Sequence, residues 1–345
     1  MIDLTTNYMG LKLKSPLIAS SSGLTNDVSH IKLMEEKGIG AVVLKSIFEE
    51  QILMETDKMI QKNEGEKMQT FSNSFNTIVN EKSYHYEEAY EYVSNFAKEQ
   101  TLGKYLALIK ELKSTVSIPI ISSINCVSAY NWHYFARRIE EAGADAIELN
   151  IYLLPSQLNM DGPSYEKIYY DIIAAVKKQV SIPVSLKLGF YFSGLSKSII
   201  DLSNTGIKAL VLFNRPYTPD FDIDTFEITA GNIYSSEHDY AHTMRWLAIL
   251  SGRVGCDLAA GTGVHEYTAA IKQILAGADA IQIGSVLYEK GYDAIADILD
   301  GMKIWMTSKN FTSLSDFRGK MNQINVQNPA ALERVQFMKL YSKIE

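Results

Sequence analysis

Five side chains able to hydrogen-bond or carry charge stand at matching places in this chain. Lys45, Asn125, Asn150, Lys187 and Asn214 each lie at the end of a short, largely apolar run. Two ammonium and three amide groups gathered at one depth can hold a polar ligand and stabilise negative charge developing on it. An unpaired buried polar group costs about 1–3 kcal/mol, so five of them are hard to explain by packing, although any single one could serve a loop backbone. A second cluster suits an anion. Gly261, Thr262 and Gly263 follow one apolar run and Gly284 and Ser285 follow another, and helices starting near His265 and Glu289 would offer unpaired N–H groups. The chemistry implied is the grip of a phosphorylated ligand; plain tight turns are the alternative. Ser20, Ser21, Ser22 and Gly23 form a small-residue loop where backbone can approach a flat ligand closely.

The elements that must position these residues repeat along the chain. AGADAIQIGSV at 276–286 recurs in weaker form as KGIGAVVLKS at 37–46, AGADAIELN at 142–150 and TGIKALVLFN at 205–214. A second class of strand lies between them: SPLIASS at 15–21, SIPIISSIN at 117–125, SIPVSLKLG at 181–189 and CDLAAGTG at 256–263. Both read as strands of a parallel sheet buried on both faces. Helical patterns fill intervals between them, at 132–142, 165–180, 195–205 and 267–276. Eight such units predict an α/β fold, a (β/α)8 TIM barrel. With Val42, Leu44, Ile147, Leu149, Val184, Leu186, Leu188, Val211, Phe213, Ile281 and Ile283 facing the helices, the alternate residues face inward and end in the polar set above.

The expected organisation is a single domain over 1–345, with insertions at 47–116 and 215–238 on the C-terminal face and a helical tail at 309–345 covering the barrel or a partner subunit. Residues 3–14 alternate as a small hairpin closing the bottom. The first insertion holds a polar segment and then two helices, about 87–99 and 103–114, and the second a short β-excursion near 220–229.

Net charge of −7 and a pI near 5.5 leave no electrostatic footprint for nucleic acid or an anionic membrane. Two cysteines, Cys126 and Cys256, exclude a disulfide framework and a CxxC metal site, and the first residues lack a signal-peptide layout. No apolar run is long enough to span a bilayer. A soluble cytoplasmic protein is expected. His238 and His242 have helical spacing without a third metal ligand, and no nucleophile elbow supports Ser-His-Asp chemistry.

The order and spacing of KLKSPLIASSSG, VVLKS, IELN, VSLKLG, VLFN, AAGTGV, IQIGSVLYEKG and LSDFRGKM resemble the dihydroorotate dehydrogenase family, in particular its soluble class 1 members. The resemblance implies FMN held at the barrel mouth and oxidation of dihydroorotate to orotate in pyrimidine biosynthesis, by hydride transfer to flavin N5. It places Lys45 and Ser46 along the flavin, with Ser21 and Ser22 nearby, and Asn125 and Asn150 on the flavin, Asn150 also on the substrate. Lys187 would stand at the pyrimidine edge, where a cation stabilises reduced flavin. Phe213 and Asn214 would serve flavin and substrate, Asn73 the substrate, and Thr262, Gly263, Gly284 and Ser285 the phosphate. The resemblance also implies a homodimer; fumarate, NAD through an electron-transfer partner subunit, and oxygen are the acceptors left open.

Three departures stand out. The family runs from strand four into Asn-Leu-Ser-Cys-Pro-Asn, whose cysteine is the base; here Asn150 is followed by Ile151, Tyr152, Leu153, Leu154, Pro155 and Ser156. Losing a positioned base costs roughly 100- to 10,000-fold in rate, so Tyr152, Ser156 and Cys126 are candidate replacements. Arg215 stands where the family has Ser or Thr, placed to meet a substrate carboxylate or to fill the pocket. The loop around Asn73 matches only loosely. The rival readings are a flavin-binding relative with another substrate or none, and a phosphosugar lyase or isomerase using Lys187 as a Schiff-base nucleophile.

Overall fold

The computed structural model describes residues 2–48, 84–125, 131–215 and 218–333, with 84–99 and 131 described by backbone alone. Numbered in chain order, its elements are β1 (6–8), β2 (11–13), β3 (17–19), α1 (28–36), β4 (41–43), β5 (47–48), α2 (84–115), β6 (120–125), α3 (131–141), β7 (146–151), α4 (162–177), β8 (184–188), α5 (195–203), β9 (209–212), β10 (219–221), β11 (228–230), α6 (240–250), β12 (257–260), α7 (267–276), β13 (280–283), α8 (285–290), α9 (293–308) and α10 (330–333). Eight of the strands form a closed parallel ring, in the order β3, β4, β6, β7, β8, β9, β12 and β13, with β13 returning to β3 and the short β5 also parallel to β6. The ring closes with helices between its strands, a (β/α)8 TIM barrel.

Why it closes is visible in two separate apolar clusters. The larger lies between strands and helices and takes Val42, Leu44, Ile147, Leu149, Leu186, Leu188 and Ile283. The smaller fills the barrel interior, where β4, β7, β9 and β13 all begin with alanine. Those alanines leave room for a plug from below. The hairpin β1–β2 turns at Met9 and Gly10, both at positive φ, and seats Tyr8, Met9 and Leu13, all fully buried, in that interior. The Met9 amide donates to Asp257 Oδ2 at 2.7 Å.

One strand has the opposite parity to the expected one. Leu210 and Leu212 of β9 belong to the outer cluster and Val211 to the inner. Residues 209–213 are apolar on both faces, so periodicity cannot orient them; register does, pairing Lys187 with Val211 and Leu186 with Leu210. The two helices expected in the first insertion are one. α2 runs unbroken through Gly103, because a single helical glycine costs only about 1 kcal/mol and Leu102, Tyr105, Leu106, Ile109 and Leu112 are buried on its inner face.

The tail differs as well. Residues 309–329 form turns around the 3₁₀ helix Leu314–Asp316, and among the described residues of the tail the α-helical stretch is Ala330–Glu333. Positive φ at Asn310 and Gly319 interrupts any longer helix. Instead Phe311 and Phe317 stack on each other and on Trp305, and Arg318 reaches Thr6 Oγ1 at 2.7 Å and Asp279 at 3.2 Å, closing over the N-terminal end of the barrel. At the other end, β10–β11 is an exposed hairpin. Among the described residues no helix is long and apolar enough to cross a membrane.

The repeat seen in the sequence extends to its joints. Glu35 accepts from the Ser117 amide and hydroxyl, and Glu140 accepts from the Ser181 amide and hydroxyl at 2.8 and 2.6 Å and from the Ile182 amide at 3.0 Å. In each case a helix carboxylate ties down the Ser-Ile-Pro that precedes a later strand. Burial pushes the Glu140 carboxyl up, but the bonds from Ser181 and Ile182 outweigh it and hold the pKa below 4.5. A depressed folded-state pKa gives stability that is present above 4.5 and lost as pH falls through the folded value. Glu140→Gln is therefore expected to lower unfolding free energy at pH 7 by about 0.5–1 kcal/mol at this part-exposed site. In urea titrations that deficit should shrink as pH drops below 4.5; an unchanged deficit would contradict the assignment.

Candidate active site

Inward parity carries the polar residues of β6, β7, β8 and β13 up toward the C-terminal mouth. The β7–β8 register sets Glu148 opposite Ser185 and Asn150 opposite Lys187. Lys187 is buried, and its Nζ donates to Gln282 Oε1 at 2.9 Å and to Ser20 Oγ at 3.2 Å. Gln282 in turn donates through Nε2 to Glu148 Oε2. Glu148 Oε1 lies 3.9 Å from the ammonium and has no hydrogen-bond partner. Burial pushes the Glu148 carboxyl up, against the opposing pull of the Lys187 charge and the Gln282 bond. The result is a cation held at the floor of the mouth by an amide, with a carboxyl behind it.

Above this floor opens a cavity of about 420 Å³, within the range of about 300–1,000 Å³ usual for small-molecule sites. Lys187 and Gln282 line its base, Ser20, Ser21, Ser22 and Gly23 one wall, and Asn214 and Arg215 the rim. Its far end is built from Ser235, Thr262, Gly263, Gly284 and Ser285. Gly263 has φ +78°, and a Cβ there would stand 2.1 Å from the Tyr240 nitrogen, so only glycine fits. Ser285 Oγ accepts from the Ser235 amide at 2.9 Å, which leaves its hydroxyl hydrogen free for a ligand. Thr262, by contrast, donates its hydroxyl to the Phe213 carbonyl at 3.1 Å. The helix start expected near Glu289 is at Ser285, with Gly284 as its N-cap, and the other begins at Tyr267 beyond Glu266. A flat ligand with an anionic tail, able to take up negative charge beside Lys187, matches this shape and donor set.

The remaining sequence-derived residues are spread around the mouth. Asn214 Nδ2 donates to Asn150 Oδ1 at 2.9 Å, so the two amides form one unit at the rim although 64 residues apart. Ser21 and Ser46 hydroxyls lie 3.1 Å apart, and Ser46 continues to Ser123 at 2.7 Å. Lys45 and Ser46 line a separate recess with Tyr105 and Lys104, and Asn125 ends β6, paired with Phe48. Phe213 faces a neighbouring recess, packed on Phe190 and His242. Arg215 donates to the Ile233 carbonyl. Tyr152 leans on Tyr191 outside the cavity lining, and Ser156 is exposed in the loop after β7. Asn73 and Cys126 lie outside the described residues.

With the geometry in view, comparison with known proteins is decisive at the level of family. The family model described as dihydroorotate dehydrogenase matches residues 3–306. The chain belongs to the dihydroorotate dehydrogenase family. A relative named dihydroorotate dehydrogenase B (NAD(+)), catalytic subunit, from Thermoplasma acidophilum is 26% identical over 325 residues, covering 92% of this chain and 99% of the relative. Another of the same name from Methanocaldococcus jannaschii is 24% identical over 319 residues, covering 90% and 95%. The match places the chain among oxidoreductases.

Several residues of the site escape a reading of the sequence. Glu148 and Gln282 carry a usable signal, since strand parity turns both inward; they lie one layer below the strand ends. Ser235, His265 and Glu289 carry none, because separate loops and a helix bring them together. Gln282→Leu removes both the acceptor of Lys187 and the donor to Glu148. It is expected to lower stability by about 2–4 kcal/mol, as breaking a buried charged network does; a urea midpoint within error of the parent would show that the network carries no such energy.

Proposed function

We propose that this chain binds flavin mononucleotide and uses it to oxidise dihydroorotate, or a closely related cyclic amide, the fine activity within its family. The observation that carries the reading is Lys187: a buried cation with two of its three N–H bonds committed to Gln282 and Ser20, at the base of a cavity whose other end suits phosphate. Bound flavin would supply the hydride acceptor. The chain's own residues would do the rest. Lys187 stabilises negative charge as hydride leaves the substrate, and the small Ser20–Gly23 wall lets the ring approach closely. Asn150 and Asn214 orient an amide substrate, and Arg215 is placed to meet its carboxylate.

The proton on the substrate carbon is where this chain departs from the family pattern. No cysteine occurs between Asn150 and Pro163. Burial, and then Tyr191, push the Tyr152 hydroxyl above its ordinary pKa of 10, so at neutral pH it stays protonated and cannot act as a base. The lack of a base favours a second reading in which the working direction is reduction of an activated double bond in a related ring. In either direction, the names of the relatives above support a second subunit that exchanges electrons with NAD.

The test is an anaerobic visible spectrum of the protein reconstituted with FMN, before and after dihydroorotate. Bleaching of the flavin bands within seconds is expected for the oxidative reading, with Lys187→Gln slowing it about 100- to 1,000-fold. Flavin that stays oxidised with dihydroorotate but turns over an unsaturated cyclic amide after chemical reduction would establish the second reading. No flavin bands at all would sink both and promote Lys187 as a Schiff-base lysine.

A further inference from the structure

Three residues behind the phosphate end form a chain that the proposed redox chemistry does not use. Ser235 Oγ lies 3.0 Å from His265 Nε2, and His265 Nδ1 lies 3.1 Å from Glu289 Oε2. Ser235 and His265 are buried, and Glu289 is exposed. Ser235 also lines the cavity, between Ser285 and the rim residues Ile233 and Tyr234. The sequence of groups is that of a hydroxyl, a base and an orienting carboxylate. Yet the Ser235 amide is spent on Ser285 Oγ, and the hydroxyl opens on the end of the cavity built for an anion.

What that hydroxyl can do depends on one proton. Glu289 is an acceptor, so Nδ1 of the imidazole carries hydrogen toward it. If the ring is neutral, Nε2 is bare and must accept from Ser235; the hydroxyl hydrogen then points away from the cavity, and only lone pairs face the ligand. If the ring is protonated, Nε2–H donates to Ser235 Oγ and the hydroxyl hydrogen is free to turn to a ligand oxygen. A dianionic phosphate is repelled in the first state. In the second it gains a donor and a positive charge one bond behind it.

Charge balance points the same way. Among the described residues two cations line the cavity: Lys187 is tied to Gln282 and Ser20 at the floor, and Arg215 is tied to the Ile233 carbonyl. The phosphate end itself presents hydroxyls and glycine backbone. The charged groups around the imidazole are Glu289, Lys290, whose Nζ lies 3.4 Å from the His265 carbonyl, and Glu266, which takes the Lys290 charge at 4.0 Å. Lys290 thus faces Glu266 and the backbone, and the ring is balanced by Glu289.

We propose that His265 and Glu289 are positioning residues that turn the Ser235 hydroxyl toward a phosphate monoester dianion, His265 taking up a proton as the phosphate binds. The inference rests on the reading of this end of the cavity as a phosphate grip, and it does not need the ring of the ligand to be a flavin. By linkage, phosphate affinity falls as pH rises through the titration of His265, while affinity for the same ligand without its phosphate does not.

Isothermal titration calorimetry of the full chain, stripped of ligand, tests this at pH 8, where FMN is already dianionic. Titrations with FMN, riboflavin and inorganic phosphate are run in two buffers of different ionisation enthalpy. Net proton uptake, up to about one per site, is expected with FMN and phosphate and none with riboflavin. His265→Gln is expected to abolish the uptake and weaken FMN about 10- to 100-fold while sparing riboflavin. Glu289→Gln, at an exposed position where folding is not at stake, should reduce uptake in the same direction. FMN bound without proton uptake, or uptake unchanged in both variants, overturns the proposal. Uptake with inorganic phosphate in a protein that ignores FMN upholds the proposal and removes the flavin reading; no binding of either probe overturns both.

Discussion

A lysine ammonium deep in a barrel is the constraint around which this molecule is built. Taking an isolated charge from water into the interior costs several kcal/mol even after relaxation. Gln282 and Glu148 offset that cost for Lys187. The amide accepts from the ammonium and donates to the carboxyl, and the three groups come from β8, β13 and β7, so the charge is shared across half the ring. That layer also explains the one beneath it. Tyr8 rises from the hairpin plug into the interior and feels the Glu148 charge, and the alanines that open the strands make room for it. Plug, carboxyl, amide and ammonium form a stack that ends where the cavity begins.

Much of this order was written in strand alternation. On β7, β8 and β13 one parity is apolar and the other is small or polar, so the inward direction of Asn150 and Lys187 is legible in the sequence, whereas Lys45, past the end of β4, lines a separate recess. On β9 both parities are apolar. Val211 faces inward where outward was expected, and Asn214 reaches the rim because the strand has already ended at Leu212. Alternation says nothing past a strand's end, which is also why the serine, histidine and glutamate behind the phosphate end were invisible. Ser235 and His265 are 30 residues apart on different loops, and no local pattern marks either. Gly103 marks no boundary: the buried face formed by Leu102, Tyr105 and Leu106 carries α2 through it.

The glutamines, asparagines and serines at this site share a mechanical role. A charged group that met its counter-charge directly would be neutralised and locked. Lys187 and Glu148 stay 3.9 Å apart with Gln282 bridging them, and His265 is separated from the cavity by Ser235. At the floor the Gln282 amide passes on the polarity of the charges on either side of it, and at the phosphate end the proton uptake proposed for His265 would reach the ligand through the Ser235 hydroxyl.

That arrangement bears on why the family's cysteine can be absent from a chain that keeps so much else. A base acts at one atom and its loss is confined to the proton on the substrate carbon. The cation at the floor, by contrast, is tied into β7, β8, β13 and, through Ser20, the loop after β3. Changing it would leave Glu148 buried without compensation and would cost stability as well as chemistry. The loop between β7 and α4 is not tied into that network: Pro155, Ser156, Gln157 and Leu158 are exposed, and these residues can change without disturbing the barrel. The site is therefore rigid where it would stabilise charge and free to vary where it would handle the proton, and a change of substrate or of reaction direction is easiest to reach through that loop.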